Sequence, residues 1–401
     1  MRASRFLGPL IAGILGVPDL VGASPGDDLY IFDDCLFQCE QITCHNNHYY
    51  IHHHVEFHND NEENHGNHDL PYHPEWSFDR EPLPAYMKLM GWDCGSNCDY
   101  QCQRIITKDR LNNNEEVLQF HGKWPFLRIF GIQELASVIF SVGNFIPHFI
   151  GARKIIQAMK SESSWTNSFQ YINTLAMAII TMGAWTASSV FHVRDTELTE
   201  KIDYFLAGLT VLAGFHGIAQ RVGNLYLPVN RIQSLALTAI CVLVYTLHVY
   251  RLVTDWSYTY NMQANVAVAL LQNACWCTLC FRLYSHFYEL ESSVDESSTK
   301  LQRHHHLNYI DPHRIILPSF YAASPKLYSL YPLLLSSIVV VGMALEIFDF
   351  PPFFFDLIDA HALWHLVTII PATYGLYDWI IWDTKENVIS ELDQLNEIKE
   401  R

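Results

Sequence analysis

Seven apolar, largely uncharged stretches of 17 to 25 residues, separated by polar loops, fill the chain after residue 124 and constrain its fold more than any other feature. They lie at Phe126–Ile150, Tyr171–Phe191, Ile202–Ile218, Ile232–Val249, Val266–Phe287, Leu327–Ile347 and Ala360–Trp382. Each is long enough to cross a hydrocarbon layer of ~30 Å as a helix. Only helices and closed barrels satisfy their backbone polar groups in lipid. The expected fold class is therefore an all-α membrane protein: a seven-transmembrane helix bundle spanning residues 125–384, with a tail at 385–401. A near-neutral mean hydropathy conceals this body, because a polar N-terminal region is averaged in.

That region reads in two parts. Arg2 and Arg5 precede the apolar run Phe6–Val17, and Val21-Gly-Ala23 offers small residues for cleavage, so residues 1–23 have the pattern of a secretory signal peptide. Residues 24–124 then form a luminal cysteine-rich domain holding Cys35, Cys39, Cys44, Cys94, Cys98 and Cys102. An even number of cysteines in an oxidising compartment favours three disulfides. The spacings C-x3-C-x4-C and C-x3-C-x3-C are unlike the C-x2-C pairs of zinc modules, though metal binding is the other reading, and the spacing alone does not choose among the fifteen pairings. Between the clusters, residues 45–73 are rich in His, Asn, Asp and Glu and carry too little apolar surface to fold alone, which predicts a disordered insertion. His304-His305-His306 reads the same way. Cys241, Cys275, Cys277 and Cys280 fall within spans as small packing residues. The net charge of −17 resides mostly in the N-terminal region and the loops, and no basic patch offers a nucleic-acid surface.

Loop charge sets the orientation. Arg153, Lys154, Lys160, Arg221, Arg231, Arg282, Lys300, Arg303, Arg314, Lys326, Lys385, Lys399 and Arg401 fall on one side, against only Arg194, Lys201 and Arg251 on the other. The first side is cytosolic. The N-terminal domain is then luminal and the tail cytosolic, in agreement with the signal pattern.

Orientation sorts the membrane histidines. His148, His216 and His286 lie at cytosolic ends, whereas His192, His248, His361 and His365 lie at luminal ends. In Asp359-Ala-His361-Ala-Leu-Trp-His365 the two histidines are spaced four apart, so a helix puts both imidazoles on one face, about one turn apart. Buried at membrane depth such a pair reads as a functional site; the bland alternative is two interfacial histidines bonded to headgroups or backbone. Three histidines with an open fourth position are the ligand set of a catalytic zinc. His248 reads as an interface residue. Ser188 precedes His192 by one turn, and Asp203 opens the next span. A carboxylate there can accept a proton from water, and a hydroxyl can orient a substrate or stabilise an oxyanion. Otherwise Ser188 is a helix-packing serine and Asp203 a helix cap. Lysine-free, acid-containing surroundings are expected on this side and would suit a cation.

Ser188-x3-His192, an aspartate eleven residues later and a late H-x3-H pair resemble the CREST superfamily of seven-span metal-dependent hydrolases. Lys123-Trp-Pro-Phe126, Gln133-Glu134 followed by Phe140-Ser141, Trp185 to Asp195 (WTASSVFHVRD), Phe348-Asp-Phe-Pro-Pro352 and Asp359 to His365 resemble one branch more closely, the post-GPI-attachment-to-proteins factor three (PER-one-like) family. Trp92-Asp-Cys94 and Tyr100-Gln-Cys102 fit as well; the His-rich insertion departs from that pattern. The resemblance implies a phospholipase A2-type hydrolase that removes the sn-2 acyl chain of GPI-anchored proteins in the endoplasmic reticulum membrane, with the Golgi left open. It implies Zn2+ held by His192, His361 and His365, Asp203 as proton acceptor and Ser188 as hydroxyl partner. GPI-anchored proteins and membrane lipids would be the partners. Two alternatives stand beside it: a ceramidase-like amide hydrolase, and a non-catalytic seven-span receptor or lipid-binding protein with structural zinc.

Overall fold

The computed structural model describes residues 24–51, 73–162, 169–293, 324–389 and Leu392. The signal-type segment 1–23, most of the His-rich insertion and the His304–His306 tract lie outside the described residues. Within them the secondary structure is helical, and strand pairing is confined to three isolated bridges.

The N-terminal module is built on two antiparallel helices, α1 (Tyr30–Cys39) and α2 (Cys94–Asn112). Cys35 pairs with Cys102, Cys39 with Cys98 and Cys44 with Cys94, a nested ladder with a Cα–Cα distance of 5.7 Å at each rung. Steps of four residues keep cysteines on one helix face. The step from Cys39 to Cys44 is five, and a π-helical turn over Glu40–Cys44, whose bonds run i to i+5, absorbs the extra residue. Asp93 and Ser96 form a reciprocal cap that starts α2 in this register. Phe32, Ile42, Trp76, Phe78, Ile106 and Phe120 fill the space beside the ladder.

The first predicted span requires correction. Phe126–Gly131 is not helical; the helix α3 begins at Leu135 and ends at Lys160. Ahead of it the chain makes two tight turns, bridged Phe120 to Lys123 and Ile129 to Ile132. Their central pairs, His121-Gly122 and Phe130-Gly131, all have positive φ, as two-residue hairpin turns require. Pro125 and Gly131 decide against helix where apolar composition alone argues for it.

The bundle continues with α4 (Phe169–Val193), α5 (Glu197–Val222), α6 (Arg231–Thr254) and α7 (Tyr258–Ser293). Next come α8 (Tyr331–Gly342), α9 (Ala344–Ile347), α10 (Ala360–Thr373) and α11 (Leu376–Asp383). Among the described residues six helical segments are long and apolar enough to cross a membrane, the sixth running Pro325–Ile347. The seventh predicted span, Ala360–Trp382, folds as α10 and α11, broken at Gly375 with φ of 100°. It is present as an element but is not one continuous helix. The outward faces carry exposed Ile139, Ile146, Ile179, Leu235, Val242 and Leu271, the surface expected where lipid is the solvent.

α3 packs on α4 and α10, and α4 on α5. At the end remote from the module, Arg221 makes two bonds of 2.7 and 2.9 Å to Asp383 within a Trp379–Trp382–Tyr328 core. At the module end, Arg104 bonds Asp356 at 2.7 Å and Trp124 Nε1 bonds Asp349, fastening the module to the segment between α9 and α10. The protein is thus an all-helical multi-pass membrane protein with a disulfide module docked on one end.

Candidate functional site

At that end α3 and α4 are stitched together by main-chain bonds. Glu134 N–H donates to the His192 carbonyl at 3.0 Å, and Gln133 N–H to the Val193 carbonyl at 3.1 Å. These bonds bring the Glu134 side chain to the last turn of α4, where His192 sits. Across from it, Asp359 caps α10, its carboxylate accepting from Ala362 N–H at 2.8 Å. The cap starts the helix so that His361 falls in its first turn and His365 one turn later. One potential ligand atom from each of His192, His361 and His365 lies within 4.8 Å of the others.

Each imidazole is held from outside through Nδ1. His192 pairs with Glu134 at 2.7 Å, His361 with Glu346 at 2.8 Å and His365 with Ser141 Oγ at 3.0 Å. His192 Nε2 is buried with no hydrogen-bond partner among the described residues. With all three Nδ1 atoms engaged, the Nε2 atoms are the ones left to offer, and three imidazoles so grouped and backed fit a single cation.

The other expected residues are placed as follows. Ser188, buried on α4, contacts Ser141 Oγ at 3.1 Å. Asp203, on α5, lies within electrostatic range of His361, Lys123 and Glu134, and no hydrogen bond ties it among the described residues. His248 stands apart, 3.4 Å from Tyr260 on α7. His148 bonds Tyr377 and His216 bonds Thr238, so both serve the bundle. The expectation of lysine-free surroundings is wrong, because Lys123 reaches into the site. Lys123 reaches Glu134, lies 3.2 Å from Asp195 and sits 3.8 Å above the Phe191 ring. Burial alone would raise the Glu134 carboxyl; Lys123 and His192 outweigh it and hold that carboxyl well below the usual carboxylate range.

Glu134, Ser141 and Glu346 are the residues that motif spacing does not assign. Glu346 carries a signal of its own, as the one charged residue in the stretch Leu327–Ile347, where an unpaired carboxylate would be costly. Glu134 and Ser141 sit inside motifs that carry the resemblance, but their contacts span 58 and 224 residues and no local pattern encodes them.

The chain matches the Per1-like family over residues 84–384. It is 41% identical to Protein PER1 of Saccharomyces cerevisiae, over 91% of this chain and 93% of that protein. It is 32% identical to the Protein PER1 homolog of Schizosaccharomyces pombe, over 90% and 87%. It is 31% identical to the GPI-specific phospholipase A2-like PGAP3 of Mus musculus, over 90% and 89%. No solved structure matches. With near full-length relatives in yeasts and a mammal, the chain belongs to the Per1-like family.

Proposed function

We propose that this protein removes the sn-2 acyl chain from the lipid of GPI-anchored proteins by zinc-dependent hydrolysis at the luminal leaflet of the endoplasmic reticulum membrane. The observation that carries the reading is the convergence of His192, His361 and His365 beside Asp203 and Ser188 at the module end. The name of the Mus musculus relative, GPI-specific phospholipase A2-like PGAP3, suggests the substrate class. The signal pattern and the bias of Lys and Arg across the loops support a luminal module and site.

His192, His361 and His365 would hold the Zn2+, which when bound would supply Lewis acidity toward an ester carbonyl and lower the pKa of a water. The Asp203 carboxylate, which no hydrogen bond ties among the described residues, takes the proton shed by the attacking water. It returns that proton to the glycerol oxygen as the acyl C–O bond breaks, leaving a fatty acid and the lyso-anchor. Ser188 Oγ–H donates to the carbonyl oxygen as negative charge builds there. The division of labour proposed for the chain is signal 1–23, luminal module 24–124, catalytic bundle 125–384 and cytosolic tail 385–401.

Full-length protein in detergent, with its zinc measured, should release fatty acid from the sn-2 position of a GPI lipid in parallel assays with diacyl phospholipid and ceramide. Asp203→Asn should keep the zinc and lose about 10²–10⁴-fold in rate, since an amide cannot take the proton. Cleavage of ceramide alone would replace this substrate, and zinc-loaded protein inert toward all three lipids would overturn the enzymatic reading.

A further inference from the structure

Resting on the zinc reading above, we propose that Glu134, Glu346 and Ser141 are positioning residues that fix the three histidine tautomers, and that Ser141 also aims the Ser188 proton at the substrate. The argument is one of donors and acceptors. An imidazole that presents Nε2 to a cation must keep its proton on Nδ1, and that N–H needs an acceptor when buried. Glu134 and Glu346 are such acceptors for His192 and His361 at 2.7 and 2.8 Å. A carboxylate cannot be confused with a donor here, so both tautomers follow.

At His365 the acceptor is the Ser141 hydroxyl, 3.0 Å away and fully buried. Once Ser141 Oγ has accepted from Nδ1–H, its own proton is available to the other oxygen beside it, Ser188 Oγ at 3.1 Å. Ser188 Oγ then accepts, and its single proton is directed away from Ser141. The chain runs His365 Nδ1–H to Ser141, Ser141 O–H to Ser188, and Ser188 O–H to the ester oxygen. A cation on His365 Nε2 therefore sets the polarity of the whole relay. The Ser137 main-chain carbonyl also faces the His365 ring, so loss of Ser141 leaves that imidazole an acceptor and chiefly disorients Ser188.

The two arms separate by measurement. Glu346→Ala should weaken Zn2+ binding about 10–100-fold in competition with a chromogenic chelator, and Glu346→Gln, which keeps an acceptor oxygen, should recover most of it. Ser141→Ala should hold Zn2+ more tightly than Glu346→Ala does, yet lose roughly tenfold in kcat with KM little changed, the scale of one misdirected hydrogen bond. In a Ser188→Ala background the same Ser141→Ala change should cost no further kcat, because the relay then has no end to aim. Full additivity of the two serine changes, or unaltered Zn2+ affinity in Glu346→Ala, would overturn the inference while wild-type zinc and hydrolysis stand. Absence of zinc from the wild-type protein would instead remove the function beneath it. Disulfide content and gel-filtration profile identify any variant that has failed to fold, and Glu346→Gln keeps that arm decidable.

Discussion

Replacing Lys123 with methionine removes the ammonium from a buried carboxylate and leaves the alkyl stem in place. The Glu134 side chain is 4% exposed, against 20% for Lys123. Breaking a buried pair from one side costs about 3–5 kcal/mol, since the stranded charge stays desolvated. Here Glu134 keeps the His192 Nδ1–H at 2.7 Å, which places Lys123→Met near the lower end, ~3 kcal/mol. At about 2 °C per kcal/mol for a chain of this size, thermal unfolding in micelles should begin roughly 6 °C lower. Tryptophan fluorescence at one fixed scan rate is the suitable readout, because such unfolding is commonly irreversible. Adding Glu134→Gln should recover most of the loss, the amide oxygen still accepting from His192 with no charge left to strand. The pH dependence has a definite sign: a carboxyl held low contributes in full above the ordinary glutamate range and loses its contribution as pH falls below it, so the wild-type advantage over Lys123→Met/Glu134→Gln should shrink on acidification. A Lys123→Met protein with unchanged unfolding, or a double variant that falls by the sum of the two single losses, would refute the argument.

Removing the middle rung by Cys39→Ala with Cys98→Ala frees a loop of 59 residues already enclosed by the Cys35–Cys102 bridge. The expected loss is about 2–3 kcal/mol, seen as less folded full-length protein in membranes; unchanged yield and unfolding would contradict it. In sealed microsomes, added protease should cut a C-terminal epitope after Arg401 and spare the module at 24–124. Cleavage of the module in intact vesicles would reverse the proposed orientation and move the site to the cytosolic leaflet.

Span-forming segments are legible because a lipid-crossing helix needs uninterrupted apolar length, and this chain shows it in six described segments between Leu135 and Ile347. The same criterion misreads Phe126–Gly131, where Pro125 and Gly131 turn an equally apolar stretch back on itself. It also passes over Gly375, whose left-handed φ splits the last span. That the six cysteines form three disulfides is legible from their even number and compartment, while the nested pairing comes from the fold. Steps of four put Cys94, Cys98 and Cys102 on one helix face, but the step of five from Cys39 to Cys44 fits its partners only through the π-helical turn at Glu40–Cys44, which the spacing does not announce. For the site, His192, His361 and His365 announce themselves as costly groups at the ends of apolar runs. Their backing partners do not, because a residue such as Ser141 becomes notable only once folding brings it to a histidine 224 positions away.

The disulfide module lies close enough to the histidines to matter for their geometry. Between Glu346 and His361 the chain passes through Phe354, Phe355 and Asp356, three consecutive residues with positive φ of 48°, 61° and 57°. Non-glycine residues in that region cost of order 1–3 kcal/mol each and persist only when their surroundings over-determine them. The surroundings here come from the module and its turns: Arg104 on α2 bonds the Asp356 carboxylate at 2.7 Å, Leu127 N–H donates to the Asp356 carbonyl at 3.0 Å, and Gln119 and Trp124 both hold Asp349. The clamped segment ends at Asp359, the cap that sets where α10 begins and so where His361 and His365 point. A site at the mouth of a lipid-embedded bundle has no soluble core to define its open end, and the cross-linked module supplies that rigidity from outside the membrane.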